Sequence, residues 1–538
     1  MVQYHGILPG VTRNAEVRKI LGAPAHENSW YAYKMLYPAK GDPRRFDAVY
    51  TVGKDGRVGT IEAVSVPEGC DDEPAVRARL GEPEFDLILA TQRMLDYSER
   101  GLRFWFDREG RTIGAAFFPH GQRRVHLGEK RRLDLSGLPQ SQPAGLTGPG
   151  RPEDWRVGTA IRPISPIEKS WLPTPEWSVH DDMHARALVL TDGRTRVAIV
   201  AADLFGMNRN DFEPIEKRLT EQGWPALVVA MSHNHAAPDT IGIYGHYPAE
   251  YVRYIQKQIG DAVLEAAANL KPVVEVRVAQ RELPLIGARV HGLIRNARNP
   301  GIVDPSIALV RLIGPEGRTL ATLANFACHV EGLSDGWKRI SADFPGPMCA
   351  TVEKELGGRC LFLNGALGGM VSGDTKARTF EESAEAGREF ARLLLELAAQ
   401  DQPIGAYTLS FHRQRLELPV TNPRFLAFAS RMKSREVIRG RLASEINLLK
   451  IGPAEVLTIP GELLPELSFE IQARMTGWPR MIVGLANDEL GYIIPAYDFR
   501  ASESPTMEGW TYEETMSLGP ATGPVIVESA VRLLEGGR

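Results

Sequence analysis

The chain has 538 residues, 43% of them apolar and 24% charged, the balance of a globular protein able to bury large cores, with room for about three domains. Its 63 Lys and Arg against 67 Asp and Glu leave a formal charge of −4, which argues against a broad grip on nucleic acid or an anionic membrane. No apolar run approaches the ~18 residues of a spanning helix, and Cys70, Cys328, Cys349 and Cys360 show neither a disulfide framework nor a CxxC zinc spacing.

The first residues, Met1 to Gly10, lack a basic stretch followed by an apolar one, so no secretory leader and a cytoplasmic location are expected. The segment Val17-Arg18-Lys19-Ile20-Leu21-Gly22-Ala23-Pro24 recurs as Val76-Arg77-Ala78-Arg79-Leu80-Gly81-Glu82-Pro83. Each copy reads as a short helix stopped by glycine with proline soon after. Strand-like residues flank a turn behind each copy, Tyr50-Thr51-Val52 before Gly53–Gly56 and Phe104-Trp105-Phe106 before Asp107–Gly110. Helix then hairpin, twice, predicts a small α+β tandem-repeat domain over 1–135. The Gly-Val-Thr-Arg…Val-x-x-Ile-Leu-Gly-x-Pro opening resembles the repeats of the β-lactamase-inhibitor-protein and small outer-membrane-lipoprotein group. That resemblance implies a docking module; a structural or oligomerisation piece is the alternative, and a homo-oligomer stays open.

Residues 136–152 hold repeated Pro and Gly among polar residues and read as a linker, leaving 153–538 as the second domain. There, apolar β-branched runs alternate with helical patterns. Strands are expected at Arg196–Asp203, Ala226–Met231, Ala308–Ile313, Thr319–Phe326, Cys360–Leu363, Ala454–Ile459 and Met481–Val483. Helices are expected at Asp211–Gln222, Ala249–Leu270, Pro345–Leu356, Glu381–Ala399, Arg424–Ile438, Pro465–Met475 and Val525–Leu534. The alternation predicts an α/β domain, a mixed sheet flanked by helices.

The strand Ala226–Met231 runs straight into Ser232-His233-Asn234-His235-Ala236-Ala237-Pro238. Loops at the carboxyl ends of strands are where open α/β sheets place ligands, and in an extended segment residues two apart point the same way. A second strand closes as Asn325-Phe326-Ala327-Cys328-His329, and Ser341-Ala342-Asp343-Phe344-Pro345-Gly346 then opens a helix.

Together these three motifs resemble the neutral/alkaline ceramidase family of zinc-dependent amidases. Further matches keep the family's order: Ala202-Asp203-Leu204, Asn364-Gly365-Ala366 through Val371-Ser372, Pro460-Gly461-Glu462-Leu463, and Gly484-Leu485-Ala486-Asn487 through Gly491-Tyr492. The resemblance runs from about Val157 to the end. It implies Zn²⁺ held by His233, His329, Glu462 and Tyr492, and imidazole and carboxylate are proper zinc ligands. His235 is then the general base or an oxyanion donor. Ser372 stands at the family's catalytic serine, as nucleophile or as a positioning group. Gly373 follows it where the family has Pro, and Met370 replaces a usual polar residue. Arg289 or Arg295 is expected to hold an anionic or carbonyl group, with a surface salt bridge as the alternative. Asp343 is expected either to hold a ligand imidazole through its other nitrogen or to cap the following helix.

The implied activity is hydrolysis of an amide, N-acyl or cyclic, in a small molecule or lipid. The Arg-rich stretch Asn422–Asn447 does not suit a greasy lipid surface, so ceramide itself is not inferred, and esters and carbamates share similar tetrahedral states. Two rivals remain: an amidohydrolase-type or esterase metal hydrolase, and an inactive ceramidase-like binding scaffold.

Overall fold

The computed structural model describes residues 3–28, 33–39, 42–51, 56–89, 91–118, 132–136, 152, 154–243, 248–286, 288–299, 301–333, 338–375, 377–430, 435–499 and 512–537. Most of the expected linker and of the Gly53–Gly56 turn lies outside them.

The two sequence repeats form the same local structure. Helices Asn14–Leu21 and Glu73–Leu80 end at Gly22 and Gly81, whose φ of 82° and 77° only glycine adopts without strain. Four strands follow each helix. Val58–Ala63 of the first set pairs antiparallel with Thr112–Phe117 of the second, joining the sets edge to edge in a nine-stranded sheet. The ninth strand, Arg132–Leu135, runs parallel to Phe85–Leu89 at one edge.

The remaining chain builds three larger sheets with one feature in common. Each is antiparallel except for a single parallel pair at one edge: Arg196–Ala202 with Ala226–Met231, Thr319–Phe326 with Arg359–Asn364, and Ala454–Thr458 with Arg480–Val483. Alternation along the strands divides their side chains between two environments. Leu188, Leu190, Ile199, Val228, Val310, Leu323, Leu361, Val456 and Met481 face one core shared by all three sheets. The intervening residues face helices. Val200 and Val229 pack under Glu213–Glu221 and Ala249–Ala268, Phe326 and Phe362 under Pro345–Leu356 and Phe380–Ala398, and Leu457 and Ile482 under Pro465–Gln472 and Thr522–Gly536. Strands buried on both faces read as continuous apolar runs, which is why the sequence shows them so clearly.

One expected helix breaks off early, and each N-terminal helix is followed by four strands where a hairpin was expected. The helix expected over Arg424–Ile438 stops at Ala429, and Val437–Ile438 is a strand paired with Leu442 and Arg441. Asn422 caps the helix by accepting from the Arg424 and Phe425 amides at 2.9 and 3.3 Å. β-branched Val437 and Ile438 then pair across the Arg439-Gly440 turn, where φ is 51° and 71°. No described helix is long and apolar enough to cross a membrane.

Candidate metal centre

The carboxyl ends of the three parallel pairs converge. Isolated bridges join Ala230 to Ala486, Asn234 to Val330 and His329 to Ser372, so the loops leaving the three sheets are stitched to one another. Asparagines make the stitching rigid. Asn364 donates to the carbonyls of Ser232 and Cys328 at 2.8 and 2.7 Å and accepts from the Cys328 and Gly365 amides. Asn487 exchanges hydrogen bonds with the strand before His233, accepting from Val229 at 2.7 Å and donating to Leu227 at 2.9 Å. Close backbone approach requires glycine here: a Cβ on Gly368 would sit 2.4 Å from the carbonyl oxygen of Glu462.

Three imidazoles meet where these loops join. One nitrogen from each of His233, His235 and His329 lies within 4.8 Å of the other two, and all three residues are buried. His233 and His235 converge from a backbone unlike the expected one. His233 has φ 64°, so the segment turns through a left-handed residue instead of running extended, and its ring stacks on Phe205 at 4.8 Å. Such strain gathers at sites where surrounding structure over-determines it.

The second nitrogens explain the orientation. His233 Nδ1 donates to the Phe205 carbonyl at 2.8 Å, and His329 Nδ1 to the Val371 carbonyl at 3.3 Å. Both Nε2 atoms face Glu462, whose Oε2 is 3.6 Å from His233 Nε2 and 2.9 Å from His329 Nε2. The shorter contact lies off the hydrogen-bond direction: His329 Nε2 and Glu462 Oε2 are both buried without a hydrogen-bond partner among the described residues. Buried polar atoms are normally satisfied, so converging orphans of this kind suit a shared cation.

The electrostatics agree. Burial pushes His233 down to about 4 despite Glu462, and burial with two neighbouring imidazoles pushes His235 well down. Both are neutral at pH 7, the form that binds metal. Burial opposes charge on His329 and Glu462 too, yet each favours the charged form of the other: His329 is raised, and Glu462 is lowered by His233 and His329.

Tyr492 pairs with Glu462 across a short parallel ladder, and its hydroxyl lies 2.9 Å from the Met370 sulfur. Ser372 is buried beside His329, with its hydroxyl donating to the Met370 carbonyl at 3.3 Å. Arg289 and Arg295 are directly opposed on paired strands and both face Asp374, at 2.5 and 3.5 Å. Arg289 thus braces the chain just after Ser372, through an ion pair that is largely buried and not on the surface.

Among the described residues, Asp343 bonds no imidazole. It accepts from the Leu333 and Phe344 amides at 3.0 and 2.6 Å and from the Ser383 hydroxyl, tying the loop after His329 to two helices. Backbone carbonyls take the place on the ligand rings that Asp343 was expected to fill. Sequence reasoning also passed over Glu331 and Arg378. Both are largely buried beside the histidines, with Arg378 Nη2 3.8 Å from Glu331 Oε2. The one signal was the position of Glu331, two residues after His329.

The three helix-covered sheets form a ceramidase-like α/β fold. The crystal structure of neutral ceramidase from Pseudomonas aeruginosa aligns with a TM-score of 0.55 at 16% identity, covering 71% of this chain and 75% of that one. A ceramidase complexed with C2 gives a TM-score of 0.56 at the same identity and coverage. At that identity the likeness is one of fold. No protein-family model and no curated protein matches the chain.

Proposed function

We propose that this protein is a zinc-dependent hydrolase of amide bonds, acting on an N-acyl or cyclic amide of a small molecule or lipid. The observation that carries the reading is the convergence of buried imidazole nitrogens on Glu462, with His329 Nε2 and Glu462 Oε2 left unsatisfied. The donor set is the nitrogen and oxygen chemistry zinc takes. His233 and His329 would hold the ion through Nε2, with Glu462 as the charged ligand and Tyr492 completing the set from beside Glu462. Zinc bound there supplies Lewis acidity, which acidifies water and polarises a scissile carbonyl.

The chain's own groups do the rest. His235, neutral and within the imidazole cluster, takes the proton of the attacking water and returns it to the leaving amine. Ser372, bridged to His329 through the backbone, is the group assigned to orienting substrate. The fold likeness to ceramidases supports the amide class, while the Arg-rich 422–447 stretch weighs against ceramide itself.

The test is metal analysis of the purified protein with a hydrolysis panel of N-acyl amino acids, N-acyl sphingoid bases, cyclic amides and short esters. About one zinc per chain, lost in His233→Ala and His329→Ala, together with zinc-dependent release of amine, is the expected outcome. Absence of bound zinc in the unaltered protein, after incubation with Zn²⁺, would overturn it.

A further inference from the structure

The N-terminal repeat unit presents one face to the rest of its own chain. Phe85, Leu87, Leu89, Met94, Trp105 and Ala116 of the nine-stranded sheet share one apolar cluster with Ile302 and Phe469. Phe85 stacks on Tyr497 at 4.7 Å. Gln92 exchanges two hydrogen bonds with the Val303 backbone, at 3.2 and 3.3 Å.

A buried charge network lies beside this cluster. Arg103, from the strand Leu102–Asp107, is held by Asp96 at 2.5 Å, donates to the side chain of Asn299 and approaches Asp498 at 3.6 Å. Asn299 in turn donates to Glu466 at 2.6 Å and to Asp498 at 3.0 Å. Arg298 completes the network with Asp498, Glu513 and Glu514 at 2.8, 2.5 and 2.6 Å.

Each segment that meets in this network leads to a proposed site residue. The amides of Ala297 and Arg298 bond the carbonyls of Met370 and Gly369, just before Ser372. Glu466 begins the helix that follows Glu462. Asp498 follows Tyr492 in the chain, and the short helix bearing Glu513 and Glu514 leads to Met516, whose carbonyl accepts the Tyr492 amide at 3.1 Å. Among the described residues, Arg103 is the network cation supplied from the N-terminal sheet, and it faces Asp96, Asp498 and Asn299.

We propose that the N-terminal repeat unit is an intramolecular brace for the catalytic site, with Arg103 as a positioning residue that sets the Ser372, Glu462 and Tyr492 segments relative to one another. This sheet face is therefore filled by the protein's own chain and is not a dock for another protein. The site roles invoked rest on the functional reading above; the positioning itself does not.

The test uses the full chain, as wild type, Arg103→Gln and Arg103→Lys. Hydrogen exchange of the zinc-free proteins is read by peptide, and zinc affinity by competition with a chromophoric chelator. Arg103→Gln should speed exchange in residues 296–299, 465–472 and 492–498 by about tenfold or more, with strands Arg196–Ala202 and Ala226–Met231 unchanged, and weaken zinc binding by about tenfold. Arg103→Lys, which keeps the charge, should recover part of both. Exchange in those three segments within about twofold of wild type overturns the proposal. If Arg103→Gln does not fold, Asp96→Asn, which removes the carboxylate holding Arg103 on the N-terminal sheet, should show the same local pattern, and its absence is equally decisive. If wild type binds no zinc, the functional reading falls and the exchange result alone decides the brace.

Discussion

Asn364 is the most informative single position to perturb. It is wholly buried, and its side chain ties the loop bearing His233 to the loop bearing His329 through the Ser232 and Cys328 carbonyls. Asn364→Leu keeps the branched outline and removes every one of those bonds. The Gly365 amide retains a bond to the Phe326 carbonyl, whereas the Ser232 and Cys328 carbonyls and the Cys328 amide lose the partner that Asn364 gave them. Three buried orphans at roughly 1–3 kcal/mol each give about 3–9 kcal/mol before relaxation, more than the backbone around two ligands will absorb without shifting. Loss of a partner that orients metal ligands typically weakens metal binding by about 10–100-fold, or about 1.4–2.8 kcal/mol. Competition with a chromophoric chelator, run beside thermal unfolding, reads both effects. Asn364→Asp adds a sign. Its second oxygen must face two carbonyls and favours the protonated acid, so the variant should lose thermal stability relative to wild type as pH rises from about 5 to 8. Asn364→Leu with an unchanged unfolding midpoint and zinc affinity within about twofold would refute the reasoning.

Other outcomes follow from the same geometry. His235→Gln should keep the bound zinc and lower kcat by about 10²–10⁴-fold, as expected of a lost general base; loss of the metal instead would make His235 a ligand. Asp203, buried and pushed up to about 6 against an ordinary 3.8, favours the fold most when protonated. That advantage is complete below about pH 3.8 and lost as pH rises through about 6, a difference of about 3 kcal/mol. Asp203→Asn can still accept from the His184 amide at the 2.8 Å contact, so it should unfold at a higher temperature than wild type at pH 7.5 and near the same temperature at pH 4. The opposite order at pH 7.5 would show that the ionised group is stabilising. Arg289→Gln leaves Arg295 facing Asp374 and should cost less than about tenfold in kcat/KM; a loss of about 10³-fold would return Arg289 to substrate binding.

Much of the fold was readable because it depends on local pattern. Ala226–Met231 and Thr319–Phe326 appear at the expected boundaries, since strands buried on both faces must be unbroken apolar runs. The helix Pro345–Leu356 also stands as read, with proline in its first turn and Gly357 just past its end. The stretch 424–438 misled because an Arg-rich amphipathic pattern and a capped seven-residue helix look alike until the hairpin at Arg439-Gly440 is known.

Around the metal centre, the motifs singled out His233, His235, His329 and Glu462, and folding brings these side chains together. The spacing did not reveal that Phe205 and Val371 carbonyls orient the rings, that Asp343 serves helix packing, or that Asp374 occupies Arg289. Each of those facts pairs groups more than 25 residues apart, through hydrogen bonds whose direction depends on the final backbone. Residue types, apolar periodicity and chain-order motifs are properties of neighbours along the chain, and the sequence by itself determined them. Which buried donor meets which acceptor, and which face of the N-terminal sheet is covered, is decided by packing between distant segments, and only the tertiary structure decided that.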